Sequence, residues 1–269
     1  MNSLSTNRFG LRPSNVLRKL RAGEIVNCFK LNFADARAAE LAALFGYDCL
    51  WTCLEHTAND WSAVEKQILA AKSHNTDIVV RVERGSYSDL IRPLELDATG
   101  IIVPHVMSLA DAKEIVWRTR FHPLGRRPID GGNADGAYAN VALADYLRAA
   151  NEQRMVILQI EDPEPLPELD AIAALPGFDM LLFGPADFSH AIGAPGQFDH
   201  PEVIAARKAV AAACKKHGKF AATVGSPATA AELIALGYQF INIGADVIGL
   251  NQYCRKQLED FGAVVQAGK

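Results

Sequence analysis

The chain lacks any apolar run approaching the roughly 18 residues that a membrane-spanning helix needs. It has five cysteines, an odd number, at positions 28, 49, 53, 214 and 254, and no C-x-x-C pair. That argues against a disulfide framework or a structural zinc site and makes a reducing cytoplasm the expected setting. A basic excess is also missing: the formal net charge is -4, which speaks against nucleic acid as the main partner. No G-x-G-x-x-G turn follows the first apolar run, and GGNADG lacks the Lys-Ser/Thr of a phosphate-binding Walker loop. Linkers, low-complexity tracts and long charge blocks are absent. The first residues, basic up to Glu24, lack the apolar stretch of a secretory signal.

What the 269 residues do contain is a rhythm. Short apolar segments at 25–33, 49–53, 77–82, 100–104, 155–160, 180–183, 220–224 and 240–244 alternate with helical patterns. Strands alternating with helices imply parallel strands joined by crossovers, and eight such units predict an α/β protein of the (β/α)8 TIM-barrel class. An open doubly wound sheet is the runner-up, weakened by the absent glycine turn. We expect one domain over 1–269, with 1–13 as a flexible tail and Ser14 as N-cap of a first helix on VLRKL. The rhythm breaks at 120–140, a long insertion of the kind that is usually functional or mobile.

Barrel enzymes carry their chemistry on the loops after the strands. The second strand is followed by Glu55 and His56, the third ends in Arg81, and the fourth is followed by Pro104 and His105. The fifth ends in Gln159-Ile160-Glu161-Asp162 and the sixth in Gly184-Pro185-Ala186-Asp187. Glu161 and Asp187 are the best pair: two carboxylates from adjacent strands suit a hard divalent cation, or else they cap the helices that follow. The tight turn of FGPADFS adds backbone N–H groups that suit a carboxylate. His56 suits proton transfer at neutral pH or is a satisfied structural group. Arg81 suits a carboxylate or a developing enolate, or pairs with Glu83. The loop residues His105, His122 and His190 receive no role. A Schiff-base mechanism is discounted because Lys30 is the one strand lysine, and Cys49 and Cys53, sharing a strand face, read as core.

On these residues the chain resembles the HpcH/HpaI aldolase group, metal-dependent class II pyruvate aldolases on a TIM barrel. The words that carry the resemblance are GYDCLWTCLEHTAND, VVRVER, IIVPHV, LQIED, FGPADFSHAIGAPGQFDHPEV and INIGAD, spread from about Asn15 to Leu250. The resemblance implies reversible cleavage of a 4-hydroxy-2-oxo acid to pyruvate and an aldehyde through a metal-stabilised enolate. It implies Glu161 and Asp187 as ligands of Mg²⁺ or Mn²⁺, with Co²⁺ or Zn²⁺ as alternatives. Gln159, Gly184, Pro185 and Ala186 fall on pyruvate-pocket positions, Arg81 on the residue that steadies the enolate, and His56 on the manager of the 4-hydroxyl proton. Asp97 matches an aspartate contributed by a neighbouring subunit. The implied assembly is a hexamer, a trimer of dimers, with a C-terminal helix exchanged between partners.

The chain departs from the family's pattern at Cys53, where an aspartate is usual, and in GRRPIDGGNADGAY, where Arg126, Arg127 and Asp130 could read the acceptor or sit at a subunit contact. Two alternatives stand beside the aldolase: a citrate synthase- or lyase-like Claisen enzyme using an acyl-CoA, and a non-catalytic 2-oxo acid binding relative.

Overall fold

Short runs rich in Val, Ile and Leu, buried on both faces, suit parallel strands whose sheet is covered on each side. In the computed structural model, which describes residues 10–267, they form β1 (Val26–Lys30), β2 (Cys49–Cys53), β3 (Asp77–Arg81), β4 (Gly100–Val103), β5 (Met155–Ile160), β6 (Met180–Phe183), β7 (Phe220–Val224) and β8 (Tyr238–Ala245). Each strand pairs in parallel with its neighbour in sequence, and β8 pairs with β1, so the expected eight-stranded barrel closes.

Around it run α1 (Asn15–Arg21), α2 (Ala36–Leu44), α3 (Trp61–Ser73), α4 (Tyr87–Glu95), α5 (Leu109–Thr119), α6 (Leu143–Gln153), α7 (Leu169–Ala174), α8 (Pro185–Ala191), α9 (Pro201–His217), α10 (Ala230–Leu236) and α11 (Asp246–Ala267). Among the described residues no helix is long and apolar enough to cross a membrane, and all five cysteines are free thiols.

Alternate residues of each strand point inward. The interior is packed by Cys28, Cys49, Trp51, Val79, Ile102, Ile157, Leu182, Ala222 and Phe240, together with Val16, Leu17 and Leu20 of α1. The first helix therefore plugs the N-terminal end of the barrel. Its N-cap is as expected: the Ser14 hydroxyl accepts the Leu17 N–H at 3.0 Å and donates to Asp77 at 2.6 Å. The expected tail over 1–13 lies partly outside the described residues, but Leu11 and Arg12 are tied down: Leu11 packs with Phe121 and Tyr146, and Arg12 pairs with Asp77 at 3.2 Å.

The plug sets one expected site residue apart from the others. Asp97 precedes β4, so it lies toward the plugged end, away from the mouth. It adopts a left-handed backbone (φ 71), is 4% exposed, and is held by Arg154 and by Lys72 Nζ at 2.5 Å. Within this chain the carboxylate is committed to those two cations. Asp97→Asn is expected to lower unfolding stability by about 3–5 kcal/mol, because it strands a buried guanidinium. Chemical denaturation would show this, with kcat of the folded fraction unchanged; a lost kcat at unchanged stability would restore the catalytic reading.

The first strand stops three residues short of its predicted end. The N–H groups of Asn32 and Phe33 turn away to the Asp246 carboxylate, at 2.8 and 3.0 Å, which also accepts the Val247 N–H at 2.7 Å. One side chain at the start of α11 thus latches the segment after β1 to the end of β8.

Candidate active site

With one end filled by α1, the C-terminal strand ends form the other, open-loop end of the barrel. The turn after β2 is fixed by Asn59, whose amide donates to the Cys53 carbonyl and the Thr57 hydroxyl, both at 2.9 Å, and by Asp60, which caps α3 through Ala63 N–H at 2.7 Å. This turn sets Glu55 and His56 at the rim. Glu55 is a hub: its carboxylate stands 3.0 Å from Arg81 Nε, 3.5 Å from His56 Nε2 and 3.6 Å from His105 Nε2. The alternative Arg81–Glu83 pair does not form; Glu83 is exposed, and Arg81 turns inward to Glu55.

Cys53 is not inert core. Its sulfur accepts from Arg81 Nε and Nη2, both at 3.3 Å, and from the His56 backbone N–H at 3.4 Å. Cys53 therefore does in part what a carboxylate would do there, holding the guanidinium side-on and tying the His56 turn to it.

Across the mouth stand β5 and β6. Glu161 is 1% exposed and does not cap a helix: it accepts the His105 backbone N–H at 2.9 Å and contacts the Gln159 amide closely. Burial pushes its carboxyl up to about 7, against the pull of His105, with the charge of Asp187 adding to the rise. Asp187 lies in the first turn of α8, after Gly184. Only glycine fits at 184, since a Cβ there would come within 2.8 Å of Glu161 Oε2 and 3.1 Å of Gln159 Nε2.

His105, given no role from the sequence, links the two sides. Its backbone is left-handed (φ 49), which turns its ring and N–H together toward Glu161. Nδ1 is 2.8 Å from Asp162. Burial lowers its pKa, but the Asp162 hydrogen bond and the charges of Glu161, Asp162 and Glu55 outweigh that and raise it. A left-handed turn at a non-glycine residue leaves no signature in composition or spacing, so sequence reasoning had no handle on it.

Three buried polar atoms of this region have no hydrogen-bond or ion-pair partner: Trp51 Nε1, Gln159 Oε1 and Asn242 Oδ1. Buried polar atoms are ordinarily satisfied, so a cluster of exceptions marks a place for a polar ligand. On the β5–β6 side the orphaned Gln159 oxygen joins Glu161 and Asp187 as hard oxygen donors, a set that suits a divalent cation with positions left for water and substrate. Among the described residues no group of three or more His, Cys, Asp or Glu side chains stands ready to hold a metal ion, here or elsewhere, so any cation at this wall would rest on two carboxylates, the Gln159 oxygen, water and substrate.

Of the residues predicted for the site, His56, Arg81, Gln159, Glu161, Gly184, Pro185, Ala186 and Asp187 all stand at strand ends on this mouth; Asp97 does not. The 120–140 insertion is irregular, with one 3₁₀ turn at Ala134–Gly136. Arg127 is buried there against Asp135 at 3.1 Å, and Tyr146 also bonds Asp135 at 2.7 Å, so Arg127 cannot read a nucleotide or an acceptor. Arg126 is exposed and lies over Trp117.

The sequence profile of the HpcH/HpaI aldolase/citrate lyase family matches residues 28–251. The chain is 35% identical over 230 residues to a hydroxypyruvate/pyruvate aldolase of Pseudomonas aeruginosa, covering 85% of each protein. It is 30% identical over 262 residues to a 2-keto-3-deoxy-L-rhamnonate aldolase of Klebsiella pneumoniae, covering 97% of this chain and 95% of the other. Among solved structures it resembles the citrate synthase SbnG, with TM-score 0.85, 29% identity, and coverage of 94% and 99%.

Proposed function

The chain belongs to the HpcH/HpaI aldolase/citrate lyase family and is a carbon–carbon lyase, and on that premise we propose that it is a metal-dependent class II aldolase, cleaving a 4-hydroxy-2-oxo acid to pyruvate and an aldehyde, reversibly. The observation that carries this reading is the opposition of an oxygen-donor wall (Gln159, Glu161, Asp187) to Arg81 and two histidines joined through Glu55. Glu161 and Asp187 would hold Mg²⁺ or Mn²⁺, and such a cation supplies Lewis-acid polarisation of the 2-oxo group.

The chain's own groups do the rest. Arg81, immobilised by Cys53 and Glu55, stabilises negative charge on the oxo oxygen as the C3–C4 bond breaks. His56 removes the 4-hydroxyl proton during cleavage and returns it on condensation. Glu55, 3.5 Å from Nε2, orients that ring. Gly184, Pro185 and Ala186 keep the approach to Glu161 open for the oxo acid.

We assign the long α11 to subunit exchange within a hexamer. None of its residues is buried, yet it carries Tyr253, Leu258, Phe261 and Val264. At its root lies an apolar groove of about 770 Å³ bordered by Phe29, Leu41, Phe45, Tyr47, Leu250 and Tyr253.

The test is exchange of pyruvate methyl protons with solvent, followed by NMR. Exchange is expected with added Mn²⁺ or Mg²⁺ and not in chelator. Acetyl-CoA hydrolysis with oxaloacetate, and no exchange of pyruvate alone, would favour the Claisen alternative instead.

A further inference from the structure

Lys30 is the last residue of β1 and shares the inward parity of Cys28, so it lies inside the barrel at the level of Trp51, its register partner on β2. Its ammonium stands 5.4 Å from the centre of the Trp51 ring, and the Arg81 guanidinium 5.2 Å from the same ring. The two acids closest to it in charge are spoken for: Asp246 accepts three backbone N–H groups, and Glu55 belongs to Arg81 and the histidines. Among the described residues Lys30 has no ion pair and no hydrogen bond to its ammonium. Burial, then the charge of Arg81, lowers its pKa below the ordinary lysine value. A half-buried cation, beside another cation and without a counter-ion, is an unfavourable arrangement that an incoming anion relieves.

The mouth is consequently polar in one sense. Lys30, the Trp51 N–H and Arg81, on β1 to β3, form a donor wall. Glu161, Asp187 and the Gln159 oxygen, on β5 and β6, form the acceptor wall. In an eight-stranded barrel β1 and β5 are diametrically opposed. A 2-oxo acid gathered at the acceptor wall leaves Lys30 facing its far end, where the aldehyde half sits. We propose that Lys30 reads a carboxylate on the acceptor aldehyde, and so selects anionic over neutral acceptors. This rests on the aldolase reading for its substrate and on the geometry of β1 for its charge.

The experiment compares glyoxylate with glycolaldehyde as acceptors for pyruvate, in wild type and in Lys30→Met, which keeps the packing on Trp51. Wild type is expected to favour glyoxylate. In Lys30→Met, kcat/KM for glyoxylate is expected to fall on the order of 50-fold, mostly through KM, with glycolaldehyde changed less than about threefold. Lys30→Arg should restore part of the preference.

A second arm needs no turnover: calorimetric affinity for 2-oxoglutarate against 2-oxopentanoate, where Lys30→Met, or Lys30→Gln if that variant folds poorly, should erase a wild-type preference for the diacid. Equal losses for both acceptors, or a preference that survives the substitution, overturn the proposal. So does borohydride reduction with pyruvate that leaves an adduct on Lys30, since the amine would then be a nucleophile. Absent methyl-proton exchange together with a wild-type diacid preference that Lys30→Met erases would sink the aldolase reading and leave Lys30 as the reader of a distal carboxylate on a 2-oxo acid.

Discussion

Glu161→Gln is expected to lose pyruvate methyl-proton exchange by about 10³-fold while the protein becomes more resistant to heat at pH 8. The loss follows from removing one of two carboxylates that suit a divalent cation, since Lewis-acid stabilisation amounts to several kcal/mol and each 1.36 kcal/mol is a factor of ten. The gain follows from linkage. A carboxyl whose pKa rises to about 7 on folding binds more protons in the native state than in the unfolded one between its unfolded value and pH 7. Stability therefore falls as pH rises through that window, and a neutral amide escapes the penalty. The amide also keeps an oxygen for the His105 N–H. Thermal melts in chelator and exchange rates with saturating Mn²⁺ check the two halves. Full exchange in the variant would remove Glu161 from the proposed ligand set.

His56→Ala is expected to lower aldol cleavage by about 10²- to 10⁴-fold, the range for a positioned general base, and to leave pyruvate methyl-proton exchange within a few-fold of wild type. The split arises because exchange involves no 4-hydroxyl proton. The His56 ring is 53% exposed, reachable by substrate and by water. His105 is the rival, 3.6 Å from the same Glu55. Retention of cleavage in His56→Ala and its loss in His105→Ala would transfer the role.

The strands were readable because each is short, apolar and flanked by turn residues: β2, β5, β6 and β7 fall on their predicted spans. The ends that moved did so for one tertiary and one local reason. Asp246 draws Asn32 and Phe33 out of the first strand, and the hydrogen-bonded turn Ser226–Thr229 makes α10 begin at Ala230, six residues after β7. The short α8, buried by Phe188 and Ser189, was too brief to show a helical period.

Within the site, the acids and Arg81 were legible as polar residues at strand ends. What was not legible is which groups meet. Cys53 looked like core because Cys49 on the same strand face is core, yet four residues further along that face the interior meets the mouth. Lys30 looked isolated because its neighbours Trp51 and Arg81 come from other strands. Asp97 resembled a site residue by local sequence, but its burial against Lys72 and Arg154 depends on elements distant in the chain.

The Asp246 latch has a consequence for how the molecule comes into being. It joins residues separated by 213 positions, a loop whose closure costs about 5 kcal/mol of chain entropy, (3/2)RT ln n, before any contact rewards it. During synthesis the free edge of β1 has no partner until the last unit has emerged, and an open edge is where a growing chain meets its own kind. Because Asp246 immediately follows β8, the strand that covers that edge and the carboxylate that fastens it arrive together. The seam is therefore the step at which a collapsing chain commits to a ring.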